Sequence, residues 1–142
     1  MKTLKEIDHP KLKNKINHIL VIDDDEFLLN AVRKKLELAN YKVTVSNNVH
    51  DAHFKLSILE PDLILLDIIM PDINGIEFMY QISSETTISH PPIVFMSYLS
   101  KKKLSEMGYS LGSAHYIPKP FDINKLPLLL NKAISSRPSQ GH

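Results

Sequence analysis

The stretch LILLDIIMPDING, residues 63–75, carries one carboxylate, Asp67, at the end of an apolar run. Leu63 to Leu66 have the length and continuous apolar character of a strand that is buried on both faces. Pro71 to Gly75 are typical of a turn. An ionised carboxylate at the end of a buried strand is costly unless another group neutralises it. Asp67 therefore needs a partner from elsewhere in the chain or from solution.

Further apolar segments of strand length occur on both sides of this stretch, and amphipathic segments separate them. We predict strands at 19–22, 41–45, 93–96 and 115–117. Helices are predicted from 26 to about 40, at 49–59 and 76–82, and from 101 to about 111. A last helix is predicted to start between 122 and 124 and to end near 135, with Asn124 as the cap that best suits Pro127. Pro118 places the last strand at an edge. Strands that alternate with helices over short turns form a mostly parallel sheet with helices on both faces.

The composition restricts the class of protein. A length of 142 residues with 43 % hydrophobic content suits one domain. The net charge of +1 is too small to attract nucleic acid by overall electrostatics. No apolar run approaches the length of about 20 residues that a membrane-spanning helix needs. The absence of cysteine fits a reducing cytoplasm. We expect a basic, flexible extension at 1–17, a folded domain at 18–135, and a linker or tail at 136–142 that an expression vector could in part have supplied.

Candidate site residues follow four of the five predicted strands. They are Asp23, Asp24 and Asp25 after the first, Asp67 after the third, Ser97 after the fourth and Lys119 after the fifth. Parallel strands bring such groups to one edge of the sheet, where close carboxylates repel each other unless a hard cation such as Mg²⁺ binds between them.

More than one interpretation of these groups is open. The acidic run by itself could cap a helix, and Asp67 could form a purely structural ion pair with Lys119. The functional interpretation makes Asp67 a nucleophile for a phosphoryl group, with Mg²⁺ and Lys119 neutralising the phosphoryl oxygens. Ser97 would then donate its hydroxyl to a phosphoryl oxygen. This last interpretation gives every polar group at the edge a role.

Four motifs occur in the order LVIDDDE, LILLDIIMPDING, IVFMS and AHYIPKPF. Together they resemble the receiver domain of two-component response regulators over residues 18–135. The resemblance implies a doubly wound α/β fold of flavodoxin-like type, with a five-stranded parallel sheet in the order 2-1-3-4-5. It also implies a phosphorylation-dependent switch in the cytoplasm rather than a turnover enzyme.

The resemblance implies roles for individual residues in phosphoryl transfer. Asp67 matches the phospho-acceptor, Ser97 the hydroxyl residue and Lys119 the active-site lysine. Ser97 and Tyr116 match the switch pair. Pro120 matches a position that follows a cis peptide bond.

The resemblance further implies a metal site and partners. Asp23, Asp24, Asp67 and the backbone carbonyl of Ile69 match the ligands of Mg²⁺, which Mn²⁺ can replace, whereas Asp25 falls at the start of the first helix. The phosphoryl donor would be a sensor histidine kinase or a histidine phosphotransfer protein. The face made by the fourth helix, fifth strand and fifth helix would meet a second copy or an output domain. Direct binding to nucleic acid or to a membrane is not expected.

The sequence departs from the family pattern after Ser97, where the usual small residue is replaced by Tyr98. We predict that its ring partly covers the site or swings outward, and that the lifetime of phospho-Asp67 changes more than its formation. Ile69 and Leu99 add no group that could orient a hydrolytic water, which predicts slow self-dephosphorylation. His50 and His53 share a helix face without a further ligand nearby, so we interpret them as surface histidines.

Alternatives from other classes stay open. The acidic run also fits a Mg²⁺-dependent phosphatase of haloacid-dehalogenase type, although the chain offers no convincing second acidic pair or cap insertion. A flavodoxin is disfavoured because three acids occupy the loop that would bind phosphate. A receiver-like interaction module without phosphorylation is the third alternative.

Overall fold

The stretch at 63–75 forms the central strand of a sheet and the turn that follows it. A computed structural model describes residues 16–85, 90–111 and 114–135. The elements alternate along the chain: β1 (His18–Ile22), α1 (Glu26–Leu38), β2 (Lys42–Ser46), α2 (Val49–Ile58), β3 (Leu63–Asp67), α3 (Gly75–Ser83), β4 (Ile93–Ser97), α4 (Lys101–Glu106), β5 (His115–Pro118) and α5 (Leu126–Ser135), with a 3-10 turn at Ile123–Lys125 before α5.

The sheet is parallel throughout and has the order β2-β1-β3-β4-β5. This confirms the predicted fold class and strand order, and it places β5 at an edge, where Pro118 is tolerated. All residues of β3 and β4 are buried, which explains why those two segments have no polar residue before their last positions.

Successive residues of the strands point to opposite faces of the sheet and so supply two separate cores. Leu20 and Ile22 of β1 pack with buried residues of α2, α3 and α4. Ile19 and Val21 pack with buried residues of α1 and α5 on the other face. The helices therefore cover both faces and leave the carboxyl edge of the strands open.

The fourth helix is shorter than the sequence predicts. α4 ends at Glu106 rather than near 111, because Gly108 adopts a left-handed conformation with φ of 95°. The amide of Tyr109 then donates to the carbonyl of Leu104, which closes the helix end. A glycine inside an otherwise helical pattern thus acts as a stop signal at this position.

The last helical segment begins within the predicted range of 122–124, but its cap is not the favoured residue. Asp122, not Asn124, provides the cap, and it accepts a hydrogen bond from the Asn124 amide at the beginning of the 3-10 turn. α5 follows at Leu126, so Pro127 still lies in the first turn, where no amide donor is needed.

The predicted extension and tail fall almost wholly outside the described residues. Ile16 packs against the core shared by α1 and α5, and the Asn17 amide donates to Asp62 at 3.0 Å, so these two residues belong to the folded domain rather than to the extension. No helix within the described ranges is both long enough and apolar enough to cross a membrane.

Candidate functional site

The carboxyl edge of the sheet brings four buried polar side chains together. Asp23 follows β1, Asp67 ends β3, Ser97 ends β4 and Lys119 follows β5, and each is less than a tenth exposed. A pocket of about 370 Å³ opens at this edge. The residues that line it are Asp23, Asp24, Asp25, Asp67, Ile69, Tyr98, Leu99 and Lys119.

Local hydrogen bonds hold the acidic run in place. The Asp23 amide donates to the Ser46 carbonyl at 3.1 Å, which ties the end of β1 to the end of β2. Asp25 caps α1 by accepting from the Leu28 amide at 3.1 Å, and its own amide donates to Asp23 at 2.9 Å. Capping therefore accounts for Asp25 alone and leaves Asp23 and Asp24 facing the pocket.

Gly75 allows α3 to begin directly beside Asp67. A Cβ at this position would lie 2.4 Å from the Asp67 carbonyl oxygen, well inside normal contact distance. The Gly75 amide donates to the Ile68 carbonyl at 2.7 Å, and Asn74 caps the helix through a capping box with Glu77. The close approach fixes the backbone that presents the Asp67 carboxylate.

Lys119 lies between two of the carboxylates. Its ammonium nitrogen is 2.7 Å from Asp23 Oδ2 and 3.4 Å from Asp67 Oδ1. The peptide bond between Lys119 and Pro120 is cis. Burial alone would lower the pKa of Lys119, but its hydrogen bond to Asp23 and the charges of Asp67 and Asp23 outweigh burial and raise it. Lys119 is therefore a cation throughout the physiological range.

The Asp67 carboxyl has the strongly perturbed acidity expected of a functional group. Burial and the neighbouring charge of Asp23 raise its pKa from 3.8 to about 7, and Lys119 opposes this rise. Because Lys119 makes its shorter contact with Asp23, the charge of Asp67 is only partly compensated.

The acidic cluster has the donor chemistry of a site for a hard divalent cation. Asp23, Asp24 and Asp67 each place one carboxylate oxygen within 4.8 Å of the others. When all three carboxylates are ionised, they and the Lys119 ammonium group leave two negative charges, which a divalent cation such as Mg²⁺ would balance. Ile69 lies at the mouth of the same pocket.

In the described parts of the chain, the acidic cluster at this edge is the only group of three or more potential metal ligands. His53 contacts Glu85 at 2.9 Å, and neither His50 nor His53 belongs to a cluster of potential ligands within the same ranges.

Two tyrosines lie beside the site in different ways. Tyr98 is 67 % exposed, and its ring lies over Lys119, with 5.0 Å between the ring centroid and the ammonium nitrogen. Tyr116 is half-buried; its hydroxyl donates to the Leu99 carbonyl and, at 3.3 Å, to the Ser97 carbonyl. Burial raises the pKa of Tyr116. Tyr98 thus faces the pocket, whereas Tyr116 contacts the backbone of the loop after β4.

Some contacts of this site were not predicted. The Ser97 hydroxyl accepts from the Leu99 amide at 3.0 Å, and Lys101 at the start of α4 lies 5.8 Å from the centroid of the Tyr116 ring. The spacing of Lys101 from Tyr116 carries no periodic signal, because the two residues come together only in the folded chain.

The family model of the response regulator receiver domain matches residues 19–131 of the sequence. The chain belongs to this family. This receiver domain is 34 % identical over 108 residues to the transcriptional regulatory protein KdpE of Staphylococcus aureus, covering 76 % of the chain and 46 % of that protein. It is 29 % identical over 120 residues to the transcriptional regulatory protein CrdR of Helicobacter pylori, covering 84 % of the chain and 56 % of that protein. The receiver domain therefore spans about half the length of these two relatives.

Solved structures of receiver domains have the same fold. The receiver domain of the Francisella response regulator 1452 superposes with a TM-score of 0.70 at 26 % identity, covering 84 % of this chain and 98 % of that one. The chemotaxis response regulator CheY4 of Vibrio cholerae superposes with a TM-score of 0.72 at 23 % identity, covering 84 % and 99 % of the two chains. Receiver domains of response regulators are in general signalling switches rather than turnover enzymes, and the match favours this class over the phosphatase and flavodoxin alternatives.

Proposed function

We propose that this receiver domain is a cytoplasmic signalling switch that accepts a phosphoryl group on Asp67. The observation that carries the proposal is the position of Asp67: a buried carboxylate in an open pocket, 3.4 Å from Lys119 and grouped with Asp23 and Asp24. A purely structural ion pair would need only one of these acids. The partly compensated charge of Asp67 supports a role as nucleophile.

The donor we propose is the phosphohistidine of a sensor histidine kinase or of a histidine phosphotransfer protein. An Asp67 carboxylate oxygen attacks phosphorus in line with the leaving imidazole nitrogen, so that a P–O bond forms while the P–N bond breaks. The imidazole nitrogen takes up the electron pair of the broken bond and then a proton. Negative charge spreads over the equatorial phosphoryl oxygens, where the Lys119 ammonium stabilises it.

The acidic cluster completes the site. Bound Mg²⁺, or Mn²⁺ in its place, would neutralise phosphoryl oxygens during the transfer. Asp23, Asp24, Asp67 and the backbone carbonyl of Ile69 would hold the ion. Ile69 and Leu99 add no group able to orient water, so we propose that phospho-Asp67 hydrolyses slowly and that the protein is not a turnover enzyme.

The switch we propose runs through Ser97 and Tyr116. Once a phosphoryl group is present, the Ser97 hydroxyl can donate to one of its oxygens, which shifts the loop after β4. The Tyr116 hydroxyl is bonded to that loop at Leu99, so its position changes with the loop. Because α4 follows the loop directly, the face formed by α4, β5 and α5 would change with it and so alter contacts with a second copy or an output domain.

The test is phosphorylation by a small donor. The protein is incubated with Mg²⁺ and acetyl phosphate and then examined by intact mass spectrometry. We expect a labile phosphoryl adduct that is lost in Asp67→Asn and kept in Asp72→Asn, which changes an exposed acid of the same loop.

Other outcomes identify the alternatives. Rapid turnover of generic phosphate esters would support a phosphatase. The absence of both an adduct and Mg²⁺ binding would support an interaction module that is not phosphorylated.

A further inference from the structure

The Tyr98 ring lies between the Lys119 ammonium group and solvent. Its centroid is 5.0 Å from the ammonium nitrogen, within the about 6 Å at which an aromatic face attracts a cation. The Lys119 side chain is only 4 % exposed, although it lines a pocket that opens to solvent beside the largely exposed Tyr98. The ring therefore covers the cation from outside.

Lys119 has two charged contacts besides this ring. Asp23 and Asp67 both contact its ammonium nitrogen. Lysine is a point charge on a flexible chain of four carbons, so its position depends on the groups that surround it. Tyr98 is the aromatic group that lies over this ammonium group. A side chain as exposed as Tyr98 gains little from burial, so its attraction to Lys119 contributes to the placement of the ring at the pocket.

We propose that Tyr98 is a positioning residue for phosphoryl transfer, because the face of its ring holds the Lys119 ammonium beside Asp67. The inference rests on the proposed function of Asp67, but the contact itself exists before any phosphoryl group arrives. An ammonium group that is already in place stabilises developing charge without first having to be reoriented. A lysine that moved freely would be less often in the productive position.

The Tyr98 ring could hold Lys119 through its aromatic face, or it could only shield the pocket as any apolar side chain would. Three variants separate these two roles. Tyr98→Phe keeps the aromatic face and loses only the hydroxyl. Tyr98→Leu keeps an apolar cover of intermediate size but lacks the ring quadrupole that attracts a cation. Tyr80→Leu, at an exposed tyrosine on α3, is the matched control outside the pocket.

The first measurement is the NMR chemical shift of the Lys119 Cε methylene protons in the protein without phosphodonor. A ring above the side chain shifts these protons upfield, so we expect an upfield shift in the parent and in Tyr98→Phe that is lost in Tyr98→Leu. The second measurement is the initial rate of adduct formation with acetyl phosphate and Mg²⁺. We expect Tyr98→Leu to be about two- to five-fold slower, as for loss of a cation–π contact near the surface, and Tyr98→Phe and Tyr80→Leu to match the parent.

Each result decides the proposal. A parent-like rate in Tyr98→Leu, or a rate in Tyr98→Phe as low as in Tyr98→Leu, overturns the positioning role while leaving the proposed function intact. A parent that forms no adduct at all overturns the proposed function and this role with it, and the chemical shifts then report only that the contact exists.

Discussion

The Lys119 ammonium group donates a hydrogen bond of 2.7 Å to Asp23, a residue 96 positions earlier in the chain. Its contact with Asp67 is longer, at 3.4 Å. Lys119 therefore interacts more closely with Asp23 than with Asp67, and burial has the larger effect on the pKa of Asp67. Burial is the largest cause of the raised pKa of Asp67, and its longer contact with Lys119 opposes that rise only in part.

Removal of the Lys119 charge is expected to destabilise the metal-free protein. Lys119→Met leaves Asp23 and Asp67 buried without a cation, and breaking a buried pair in this way costs about 3–5 kcal/mol. The measurement is urea unfolding at neutral pH in the presence of EDTA. Lys125→Met, at an exposed lysine of the 3-10 turn, is the control, and an equal loss in both variants would contradict the prediction.

Asp67 is expected to make the stability of the metal-free protein depend on pH. Its pKa is about 7 in the folded protein against an ordinary value of 3.8, so the folded state holds the proton more tightly than the unfolded chain. The resulting stabilisation is complete below pH about 4 and is lost as the pH rises through about 7. Asp67→Asn removes this dependence, so above that range we expect the variant to be more stable than the parent by roughly 1–3 kcal/mol.

Urea unfolding in EDTA between pH about 4 and 8 measures this difference. The two proteins should converge at the acidic end. Asp72→Asn provides the control, because Asp72 is exposed and its left-handed φ of 71° suits asparagine equally well. A constant difference between parent and Asp67→Asn at every pH would be evidence against a raised pKa.

Asp24 and Asp25 are expected to differ in their effect on Mg²⁺ binding. Asp24 belongs to the acidic cluster, whereas Asp25 caps α1. Asp24→Asn should weaken Mg²⁺ binding by about tenfold or more, because affinity depends on the charge of the ligands. Asp25→Asn keeps a good cap and should bind nearly as the parent does. The measurement is the rise in Tm with increasing MgCl₂; equal weakening in both variants would count against the assigned ligands.

Tyr98→Ala is expected to shorten the lifetime of phospho-Asp67, because the ring covers the pocket at Lys119. The decay rate should rise by more than the about two- to five-fold change expected in formation from loss of the cation–π contact. Decay is followed by intact mass spectrometry after removal of acetyl phosphate. Tyr80→Ala should decay as the parent does, and an unchanged rate in Tyr98→Ala would show that the ring does not protect the acyl phosphate.

Local sequence patterns predict much of the fold. The continuous apolar runs of β1, β3 and β4 predict buried parallel strands, since only strands covered on both faces need apolar residues at every position. Where local signals compete, the prediction fails by a few residues. Gly108 ends α4 earlier than the apolar spacing indicates, and the cap of the last helical segment is Asp122, two residues before Asn124.

The sequence by itself determined which polar residues meet at the carboxyl edge, because a parallel sheet brings the residues after each strand together whatever their side chains do. Only the tertiary structure decided how they pair there. That Lys119 bonds to Asp23 more closely than to Asp67, and that Tyr98 lies over Lys119, depends on the rotamers that these side chains adopt in the folded protein. Those rotamers are selected by contacts between segments far apart in the chain, which local sequence patterns do not encode.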